Sequence, residues 1–545
     1  SIDARDPANA PPFEPVRTFK PEGLPPGGDA VEWIEAQRAQ DRTDDEILAS
    51  PESCDFYSHD IFTRGIRAGV VVRPSSVENL ATAVGMATQA GHPVIPRGGG
   101  MSYTKGYVPS QKNSVVFDLQ GLNKITEINA VDMYVTVEAG VTWKALAEAL
   151  TGTGLRTPFR GPFSGSRATV GGGASQQTIF WGAGQYGCSA DSIISLDVVL
   201  ADGSVLSTGT ASQKNAAPFY RHFGPDLTGI FLNDTGALGM KARVTMRLMP
   251  EMEAHRFLSF DFETAQNQMD ALCEITRQEL ASEIFGIDPV MSNLREHRDS
   301  VINDAKRLGQ VVKNAGLSAA ANLIRQGRKS VLGLHYPLHI IAEDRTEAGA
   351  DFRAEAMSKI AKKHGGRKIE NAIPTVIHAS PFAPLNNIVG PNGERWVPVN
   401  ALLPLSKAME CQEGINRIRG ARQDELDFHK IQTGMMVGAV STNCIFLEPT
   451  FYWPDRLYPL HKAVIENSVQ KSFTDFPNAP EAFKVIYELR TALSDYFSDM
   501  GTSHLQLGKT YHYAPALRPE AYQLMTQIKQ AVDPKGLMNS GSLGL

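Results

Sequence analysis

Hydrophobic and polar positions follow strand and helix patterns in turn near the start of the chain. An apolar run at 70–72 is followed by a serine pair at 75–76, which favours a helix start, and by apolar residues at helical spacing up to Gly91. A second apolar run begins at 94–95. The pattern predicts a βαβ unit that delivers the next loop to the edge where α/β sheets bind ligands.

The strand and helix patterns continue to about residue 250. Residues 114–119 and 133–155 again read as strand and helix, and an alternating strand from Ile194 to Leu200 ends in the hairpin turn Asp202-Gly203. These elements predict a small α+β lobe followed by a second lobe of hairpins. After Pro250, helices mix with long strands, which indicates a separate domain that covers the substrate.

Three stretches outside this pattern predict a surface arm and two further helices. Residues 1–28 are rich in proline and predict an extended surface arm, and residues 31–50 predict a charged helix. Residues 306–330 carry Ala and Leu at helical spacing between lysines and arginines, which predicts a solvated amphipathic helix.

Composition narrows the possible partners and compartment. The 545 residues are 42% hydrophobic with a net charge of −6, which is typical of a globular protein of two or three domains and gives no reason to expect nucleic acid. The five cysteines are scattered, so a reducing, cytoplasmic setting is expected. No apolar run reaches the roughly 20 residues of a membrane span. Because the chain starts at Ser1 rather than Met, removal of a leader peptide is left open as an alternative.

The segment VIPRGGGMSYTKGYVP, residues 94–109, predicts a phosphate-binding loop. Its three consecutive glycines, Gly98 to Gly100, allow several backbone N–H groups to point into one concavity, which suits a diphosphate. Ser102 and Tyr103 add hydroxyl donors at the rim.

Three later motifs accompany this loop in a fixed order. They are RGPFSGSRATVGGGASQQTIFWGAGQYGCSADSIISLDVVLADGSVLSTG (160–209), GPDLTGIFLNDTGALGMKARVTMRLMP (224–250) and the C-terminal AVDPKGLMNSGSLGL. Together with the first loop, they resemble the FAD-binding domain of the vanillyl-alcohol oxidase and p-cresol methylhydroxylase flavoprotein family. That domain also serves D-lactate dehydrogenases and related enzymes.

The resemblance implies an α+β fold with a split FAD-binding domain of two α/β lobes and a central α+β cap. The expected ranges are 1–60 for an N-terminal arm and helix, 61–250 for the FAD-binding domain, 251–500 for the cap, and 501–545 for a tail that returns to the FAD domain. A looser likeness of the cap segment ERWVPVNALLPLSKAMECQEGINRIRGARQDELDFHKIQTGMMVGAV to the aryl-alcohol branch favours aromatic substrates.

The resemblance also assigns cofactor contacts along all four motifs. The first loop is expected to hold the pyrophosphate, the second triplet to line the flavin and ribityl chain, and the later segments to reach toward the cofactor. The assigned residues are Pro96, Arg97, Gly98, Gly99, Gly100, Met101, Ser102, Tyr103, Pro162, Thr169, Val170, Gly171, Gly172, Gly173, Ser175, Gln176, Gly187, Thr235, Gly236, Leu238 and Asn539.

A literal GxGxxG at Gly182 to Gly187 does not predict a nicotinamide dinucleotide site. That fingerprint requires a strand before it and a helix after it, whereas a strand and the hairpin follow here. Attachment of FAD is expected to be non-covalent. The positions of the two histidines that relatives link to flavin are Met101 and the stretch 441–444, which hold no histidine.

The usual catalytic groups of the family are replaced. The expected Tyr-Arg pair is absent before Thr502, the loop Pro162 to Gly165 has no carboxylate, and no HxxDGNxH metal segment occurs. No metal site is predicted, since Pro337 breaks the spacing of His335 and His339. The remaining catalytic candidates lie near the flavin side and are His504, Tyr103, Tyr511 and Tyr513.

Two of these assignments have alternatives. His504 has the right intrinsic pKa for a base, but it equally suits a strand-holding hydrogen bond to the backbone. Residues 511–513 alternate like a strand, so His512 is expected to face away from the two tyrosines. Aromatic residues flanking the second glycine motif either pack in the core or shape an apolar pocket; they are Phe159, Phe163, Phe180, Trp181 and Tyr186.

The sequence therefore predicts an FAD-dependent oxidoreductase that abstracts a hydride from a hydroxylated or benzylic carbon of a small, aromatic molecule. The alternatives are a D-2-hydroxy-acid dehydrogenase without the usual metal site and an FAD-binding protein without redox turnover. The expected partners are a small-molecule substrate, oxygen or an electron-acceptor protein or quinone, and a second copy in a homodimer.

Overall fold

The structure is a computed structural model that describes residues 45–291 and 333–545. Three main β-sheets, one two-stranded pair and the helices packed on them form these residues. The predicted arm at 1–28 and the predicted amphipathic helix at 306–330 lie outside the described residues. Within the two described ranges, no helix is long and apolar enough to cross a membrane.

The elements before residue 251 belong to the first two sheets and the two-stranded pair. The strands are β1 (Glu46–Leu48), β2 (Val70–Arg73), β3 (Val94–Arg97), β4 (Val115–Asp118), β5 (Ile125–Asn129), β6 (Tyr134–Glu138), β7 (Leu155–Arg156), β8 (Ile193–Val199), β9 (Val205–Ser207), β10 (Met240–Arg247) and β11 (Met249–Pro250). The helices are α1 (Pro51–Phe56), α2 (Val77–Gln89), α3 (Trp143–Leu150), α4 (Val170–Gln176), α5 (Ala183–Tyr186) and α6 (Leu227–Ile230).

The elements after residue 251 form the third sheet, its helices and the tail. The strands are β12 (Ala254–Phe262), β13 (Glu283–Ile287), β14 (Tyr336–Asp344), β15 (Arg367–Lys368), β16 (Arg395–Pro398), β17 (Ala401–Leu403), β18 (Gln432–Val440) and β19 (Cys444–Trp453). The helices are α7 (Ala265–Arg277), α8 (Glu347–Lys363), α9 (Ala372–Ala379), α10 (Ala408–Gly420), α11 (Gln423–Phe428), α12 (Pro459–Val464), α13 (Asn467–Gln470), α14 (Pro480–Asp499) and α15 (Pro519–Val532).

The first sheet contains the predicted βαβ unit. Its strand order is β1-β2-β4-β3, and β2, β4 and β3 run parallel. The Ser76 hydroxyl caps α2 by accepting from the Asn79 N–H at 3.0 Å, as its position before the helix predicts. One expectation is wrong: residues 46–48, the described end of the predicted helix at 31–50, form β1 and pair with β2.

The second sheet is antiparallel, with the order β5-β6-β10-β8-β9. The β8–β9 hairpin turns at Asp202-Gly203, where Gly203 has a φ of 82°, a backbone conformation that favours glycine. The second glycine triplet, predicted as a loop, is instead part of α4. Thr169 caps this helix by accepting from the Gly172 N–H at 3.2 Å.

The third sheet, called the cap sheet below, has two different faces. Its order is β15-β12-β14-β13-β18-β19-β16, with β17 on β19. On one face, alternate residues such as Phe260, Ile340 and Leu447 pack against α7, α8 and α10, and α14 packs on α10 in the same apolar cluster. On the other face, Phe285 and Phe446 join the apolar cluster of the second sheet. This second face therefore meets the N-terminal lobes along a seam.

The C-terminal tail packs on the first sheet. Met538 forms a bridge with Val94, and the Asn539 N–H donates to the Val94 carbonyl at 2.8 Å. The Lys529 ammonium, at the end of α15, donates to the Ala237 carbonyl at 2.7 Å. Residues more than 400 positions apart in the chain thus share one edge of β3.

Candidate active site

A cleft opens between the first two sheets, where β3 ends and α4 begins. It encloses about 460 Å³, open mouth included. Its walls come from distant parts of the chain, and the lining residues are Pro96, Arg97, Gly98, Gly106, Tyr107, Leu119, Ala139, Thr169, Gly171, Gly172, Ser175, Gln176, Thr235 and Lys241.

Two glycines keep the backbone of this cleft accessible. A Cβ on Gly98 would stand 2.3 Å from the Thr169 hydroxyl, so only glycine lets the loop after β3 approach the start of α4. A Cβ on Gly172 would meet only that same hydroxyl within 4 Å, at 3.1 Å, and would otherwise project into open space. Main-chain atoms from both segments therefore face one cavity.

Arg97 supplies a positive charge at this cleft that packs over the rings of Tyr57 and Tyr107 but has no hydrogen-bonded anion. Its side chain is buried, and its three guanidinium nitrogens have no hydrogen-bond partner in the described part of the chain. The carboxylate of Asp118, near it, is hydrogen-bonded to Arg73 and Tyr57. Because a buried charge without a partner is costly, this position calls for an anion.

A second guanidinium strengthens the positive field. Arg167 donates from Nε to the Gly99 carbonyl at 2.7 Å, and burial together with the charge of Arg97 lowers its pKa. Two arginines thus flank the glycine loop. The geometry suits a ligand with two or more negative charges, such as a diphosphate.

The tail fixes the wall opposite the glycine loop. The buried Asn539 amide donates to the Gly106 carbonyl at 2.7 Å and to the Thr235 carbonyl at 2.6 Å. Thr235 has a φ of 57°, and its turn is held by the buried ion pair of Asp234 and Lys241. The strained backbone at Thr235 therefore has support from both sides.

A cluster of polar side chains lies on the seam between the Gly98 loop and the cap sheet. We call it the tyrosine cluster, and it comprises Tyr103, Asn400, His504 and Tyr511. The Asn400 N–H donates to the Tyr511 phenol oxygen at 2.7 Å, and Asn400 and Tyr511 both lie close enough to Tyr103 to affect its pKa. The His504 ring stacks on Tyr511 with centroids 3.8 Å apart. Three of the predicted catalytic residues are thus brought together.

Hydrogen bonds fix the state of His504. Its Nδ1 lies 2.7 Å from the Asn400 carbonyl, which can only accept, so Nδ1 carries the proton and Nε2 has the lone pair. The Thr502 hydroxyl is 3.4 Å from Nε2. Burial lowers the pKa of His504 to about 4, so the ring is neutral at physiological pH.

Two charged residues that the sequence did not single out belong beside the cluster. Glu448 on β19 is opposite Met436 in register, which places it on the cap-sheet face that meets the lobes. Burial is the first cause of the raised pKa of Tyr103, and Glu448 is the second. Arg490 on α14 donates to the Tyr103 carbonyl at 3.0 Å. A glutamate within the apolar strand CIFLEPTFYW was the available sequence signal.

An aromatic cavity lies farther along the same seam. Phe163 packs on Phe180 with ring centroids 3.9 Å apart, and Phe180 meets Phe446 edge-on at 6.4 Å. The cavity walls are Ile179, Phe180, Ala183, Gly184, Glu283, Ile284, Phe285, Gly438, Ala439 and Phe446. Leu505, the neighbour of His504, belongs to the same apolar cluster as Phe446. The apolar cluster that contributes to the cavity wall therefore extends to the chain neighbour of His504.

Comparison with known proteins identifies the family. Residues 68–209 match the family described as FAD binding domain. A D-lactate dehydrogenase of Archaeoglobus fulgidus is 31% identical over 478 residues, which cover 87% of this chain and 91% of that protein. The chain belongs to the family of FAD-dependent oxidoreductases that includes this protein.

Two further proteins extend the comparison of this FAD-dependent oxidoreductase. The mitochondrial D-lactate dehydrogenase [cytochrome] of Arabidopsis thaliana is 24% identical over 493 residues, covering 87% of this chain and 73% of that protein. The crystal structure of p-cresol methylhydroxylase with substrate bound has a TM-score of 0.71 at 17% identity, covering 96% of this chain and 98% of that chain. The likeness confirms the predicted α+β fold.

FAD is the cofactor of this oxidoreductase, and the cleft fits it. The unpaired Arg97 and its neighbour Arg167 suit the diphosphate, and the bare backbone at Gly98 and Gly172 allows close approach. Several residues that the resemblance assigned to FAD line the cleft; they are Pro96, Arg97, Gly98, Thr169, Gly171, Gly172, Ser175, Gln176 and Thr235.

The other assigned residues of this flavoprotein lie around or outside the lining. Gly99, Gly100, Met101, Ser102, Val170 and Gly173 are chain neighbours of lining residues, while Gly236 and Asn539 support the wall. Leu238 is buried in the apolar core, Pro162 lies in a turn, and Gly187 faces the Asp191 carboxylate, so none of these three lines the cleft.

Three expectations for this oxidoreductase change with the structure. Residues 511–513 form no strand, although His512 does point away from Tyr511 and pairs with Asp495 at 2.6 Å. Tyr513 is only partly buried and lies outside the tyrosine cluster as defined. The GxGxxG does contain a helix, α5, but it is a single turn against the cap sheet, and no strand precedes it.

Proposed function

We propose that the protein oxidises a hydroxylated or benzylic carbon of a small aromatic substrate. The observation that carries this proposal is the aromatic cavity that adjoins the tyrosine cluster on one seam. The walls Phe180, Phe285 and Phe446 are apolar rings that can pack on a planar ring, and the hydroxyls of Tyr103 and Tyr511 suit its oxygen. The space between the walls is about 20 Å³, room for about one water, so an aromatic ring enters only when these side chains move apart. Bound FAD supplies the hydride-accepting chemistry.

The tyrosine cluster holds two phenols in their protonated state. Burial raises the pKa of Tyr103 and of Tyr511 well above the ordinary value, so both donate hydrogen bonds at neutral pH. Since the Tyr511 oxygen already accepts from the Asn400 N–H, its own proton is directed to another acceptor. A substrate oxygen is such an acceptor.

Proton removal from a substrate hydroxyl requires an acceptor near the cluster. His504 donates from Nδ1 to the Asn400 carbonyl, and its neutral ring stacks on Tyr511. These contacts favour a structural role, a hydrogen bond to the backbone, over the role of base. A base with a pKa of about 4 is poorly matched to neutral pH. We therefore assign proton acceptance to Glu448 and the positioning of Tyr511 to His504.

Oxidation of a D-2-hydroxy acid is the second candidate. The relative from Archaeoglobus fulgidus, a D-lactate dehydrogenase, favours it. The site offers less support: within residues 45–291 and 333–545, no three His, Cys, Asp or Glu side chains are placed to bind a metal. The nearby Arg490 donates from Nη2 to the Tyr103 carbonyl, and its Nε has no hydrogen-bond partner in the described part of the chain, which leaves one donor for a substrate carboxylate.

Anaerobic reduction of the protein-bound FAD separates these candidates. We expect primary aryl alcohols or alkylphenols to bleach the visible flavin absorbance, while D-lactate leaves it unchanged. Bleaching by D-lactate alone would establish the second candidate, and no bleaching by a broad panel would indicate a protein that only binds FAD. Oxygen uptake and reduction of an artificial acceptor, measured on the same samples, identify the electron acceptor.

We also expect FAD to be released intact by acid precipitation. Met101 has no ionisable N–H, O–H or S–H group that could form a neutral bond to flavin, and burial raises the pKa of the Cys444 thiol to about 11, which keeps it protonated. The yellow colour should therefore appear in the supernatant of the precipitated protein. A pellet that stays yellow, and a flavin-bearing peptide containing Cys444 in its digest, would contradict non-covalent binding; Cys444→Ser is the control.

A further inference from the structure

The GAGQYG turn, residues 182–187, joins the N-terminal lobes to the cap sheet. The Gly182 N–H donates to the Glu283 carboxyl at 2.6 Å, and the Gly184 N–H donates to the Ser282 carbonyl at 2.9 Å. A Cβ on Gly184 would meet the Ser282 carbonyl oxygen at 2.9 Å, so glycine is needed for this contact. The GAGQYG turn is therefore a contact between the lobes and the cap sheet rather than a nucleotide-binding loop. We call this contact, between residues 182–184 and residues 282–283, the clasp.

Among the described residues, Glu283 forms no salt bridge with a cation. The Arg156 guanidinium, whose charge acts on Glu283, donates from Nη1 to both oxygens of Glu343 at 2.8 Å. Its Nε donates to the Thr157 carbonyl and its Nη2 to the Pro158 carbonyl. Glu283 and Glu343 are therefore two buried carboxyl groups beside one guanidinium, and of the two only Glu343 is hydrogen-bonded to it.

Apart from two neutral donors, the Gly182 N–H and the Ser282 hydroxyl, the groups around Glu283 offer little further compensation. The charged and titratable side chains on this face of the cap sheet are Glu283, His339, Glu343 and His255, and those that approach from other elements are Arg156, Arg160, Tyr186, Glu251 and His378. Burial lowers the pKa of His255, His339 and His378, which keeps the three rings neutral. A proton on Glu283 is the simplest way to balance the charge.

The same clasp holds the wall of the aromatic cavity. Phe180 has a φ of 134°, which is unusual for any residue except glycine and requires support from its surroundings. The Ala183 N–H donates to the Phe180 carbonyl at 2.9 Å, so the turn and the Phe180 ring are placed together. The Ser441 N–H in turn holds the Ala183 carbonyl at 2.9 Å from the cap.

We propose that protonated Glu283 is a positioning residue that holds the GAGQYG turn on the cap sheet and thereby sets Phe180 on the substrate cavity. The importance of the Phe180 wall for catalysis rests on the proposed function, in which the aromatic cavity binds the substrate. Burial and the charge of Glu343 raise the pKa of Glu283 to about 7. A raised pKa means that the closed clasp is favoured at low pH and is lost as pH rises through that value.

The test compares Glu283→Gln, which keeps the shape of a protonated acid, with Glu283→Ala, in the FAD-loaded protein. Hydrogen-exchange protection of the Gly182 and Gly184 amides is measured at about pH 6 and about pH 8, one unit on either side of that pKa. We expect protection to fall about tenfold in the wild type, to stay constant and high in Glu283→Gln, and to be low at both pH values in Glu283→Ala. Glu263→Gln, at an exposed position, is the matched control.

The effect on catalysis is measured separately from hydrogen exchange at the clasp. The alkaline limb of kcat/KM near pH 7 should disappear in Glu283→Gln with the substrate that reduces the flavin. Loss of protection in Glu283→Gln equal to that in Glu283→Ala, or a wild type whose protection does not change with pH, would overturn the proposal. If no substrate reduces the flavin, the proposed function fails while the exchange result still decides the role of Glu283.

Discussion

Arg97→Ala is expected to yield a folded protein that loses FAD during purification. Arg97 is buried and unpaired in the described residues, so its removal takes away the main counter-charge for the diphosphate without leaving an unpaired carboxylate. Loss of one partner of a buried, hydrogen-bonded charge pair costs about 3 kcal/mol, or about a hundredfold in Kd. Fluorescence titration of the apoprotein with FAD measures this change.

The folding of the apoprotein provides the control for this prediction. Because truncation removes the packing of the Arg97 side chain on Tyr57 and Tyr107, the thermal midpoint of the Arg97→Ala apoprotein should fall slightly while the protein stays folded. Arg247→Ala, at the exposed end of β10, should leave FAD affinity unchanged. An Arg97→Ala protein that binds FAD with wild-type affinity would place the diphosphate elsewhere.

Glu448→Gln is expected to lower kcat by about 10² to 10⁴-fold, the usual contribution of a general base, with FAD affinity unchanged. The substitution keeps the size and hydrogen-bonding reach of the side chain but removes the charge that faces Tyr103 and Tyr511. Rapid-mixing measurement of flavin reduction isolates this step from reoxidation.

Two companion variants make the result specific. Glu410→Gln changes an exposed glutamate paired with Lys407 and should have no effect on kcat. His504→Gln should weaken the support of Tyr511 and lower activity less than Glu448→Gln does. A Glu448→Gln enzyme with wild-type kcat, or a larger loss in His504→Gln, would return the role of base to His504.

Local sequence patterns were sufficient to predict the βαβ unit, the loop at Gly98 and the hairpin at Gly203. In each case, a short stretch contains its own cause: a capping serine, an apolar period, or a glycine at a position with positive φ. The four ordered motifs then indicated FAD, and the family comparison confirms this cofactor.

Features that depend on packing between distant segments could not be predicted. Gly171 and Gly173 look like a loop, yet they lie in α4. They are glycine because a Cβ would collide with Ala139 and with the Trp143 ring, which pack closely on this helix. The position of Glu448 depends on its register with β18 and on the tail that carries Tyr511. No periodic pattern in the local sequence indicates how the glycines of α4 pack or that Glu448 lies near Tyr511.

The most direct test of the central claim follows the hydride itself. FAD-loaded protein is mixed under anaerobic conditions with an aryl alcohol that carries deuterium on the oxygen-bearing carbon, and with its unlabelled form. We predict that the unlabelled alcohol bleaches the flavin and that deuterium slows this bleaching several-fold. Bleaching by D-lactate together with no response to any aryl alcohol would contradict the assignment of an aromatic substrate.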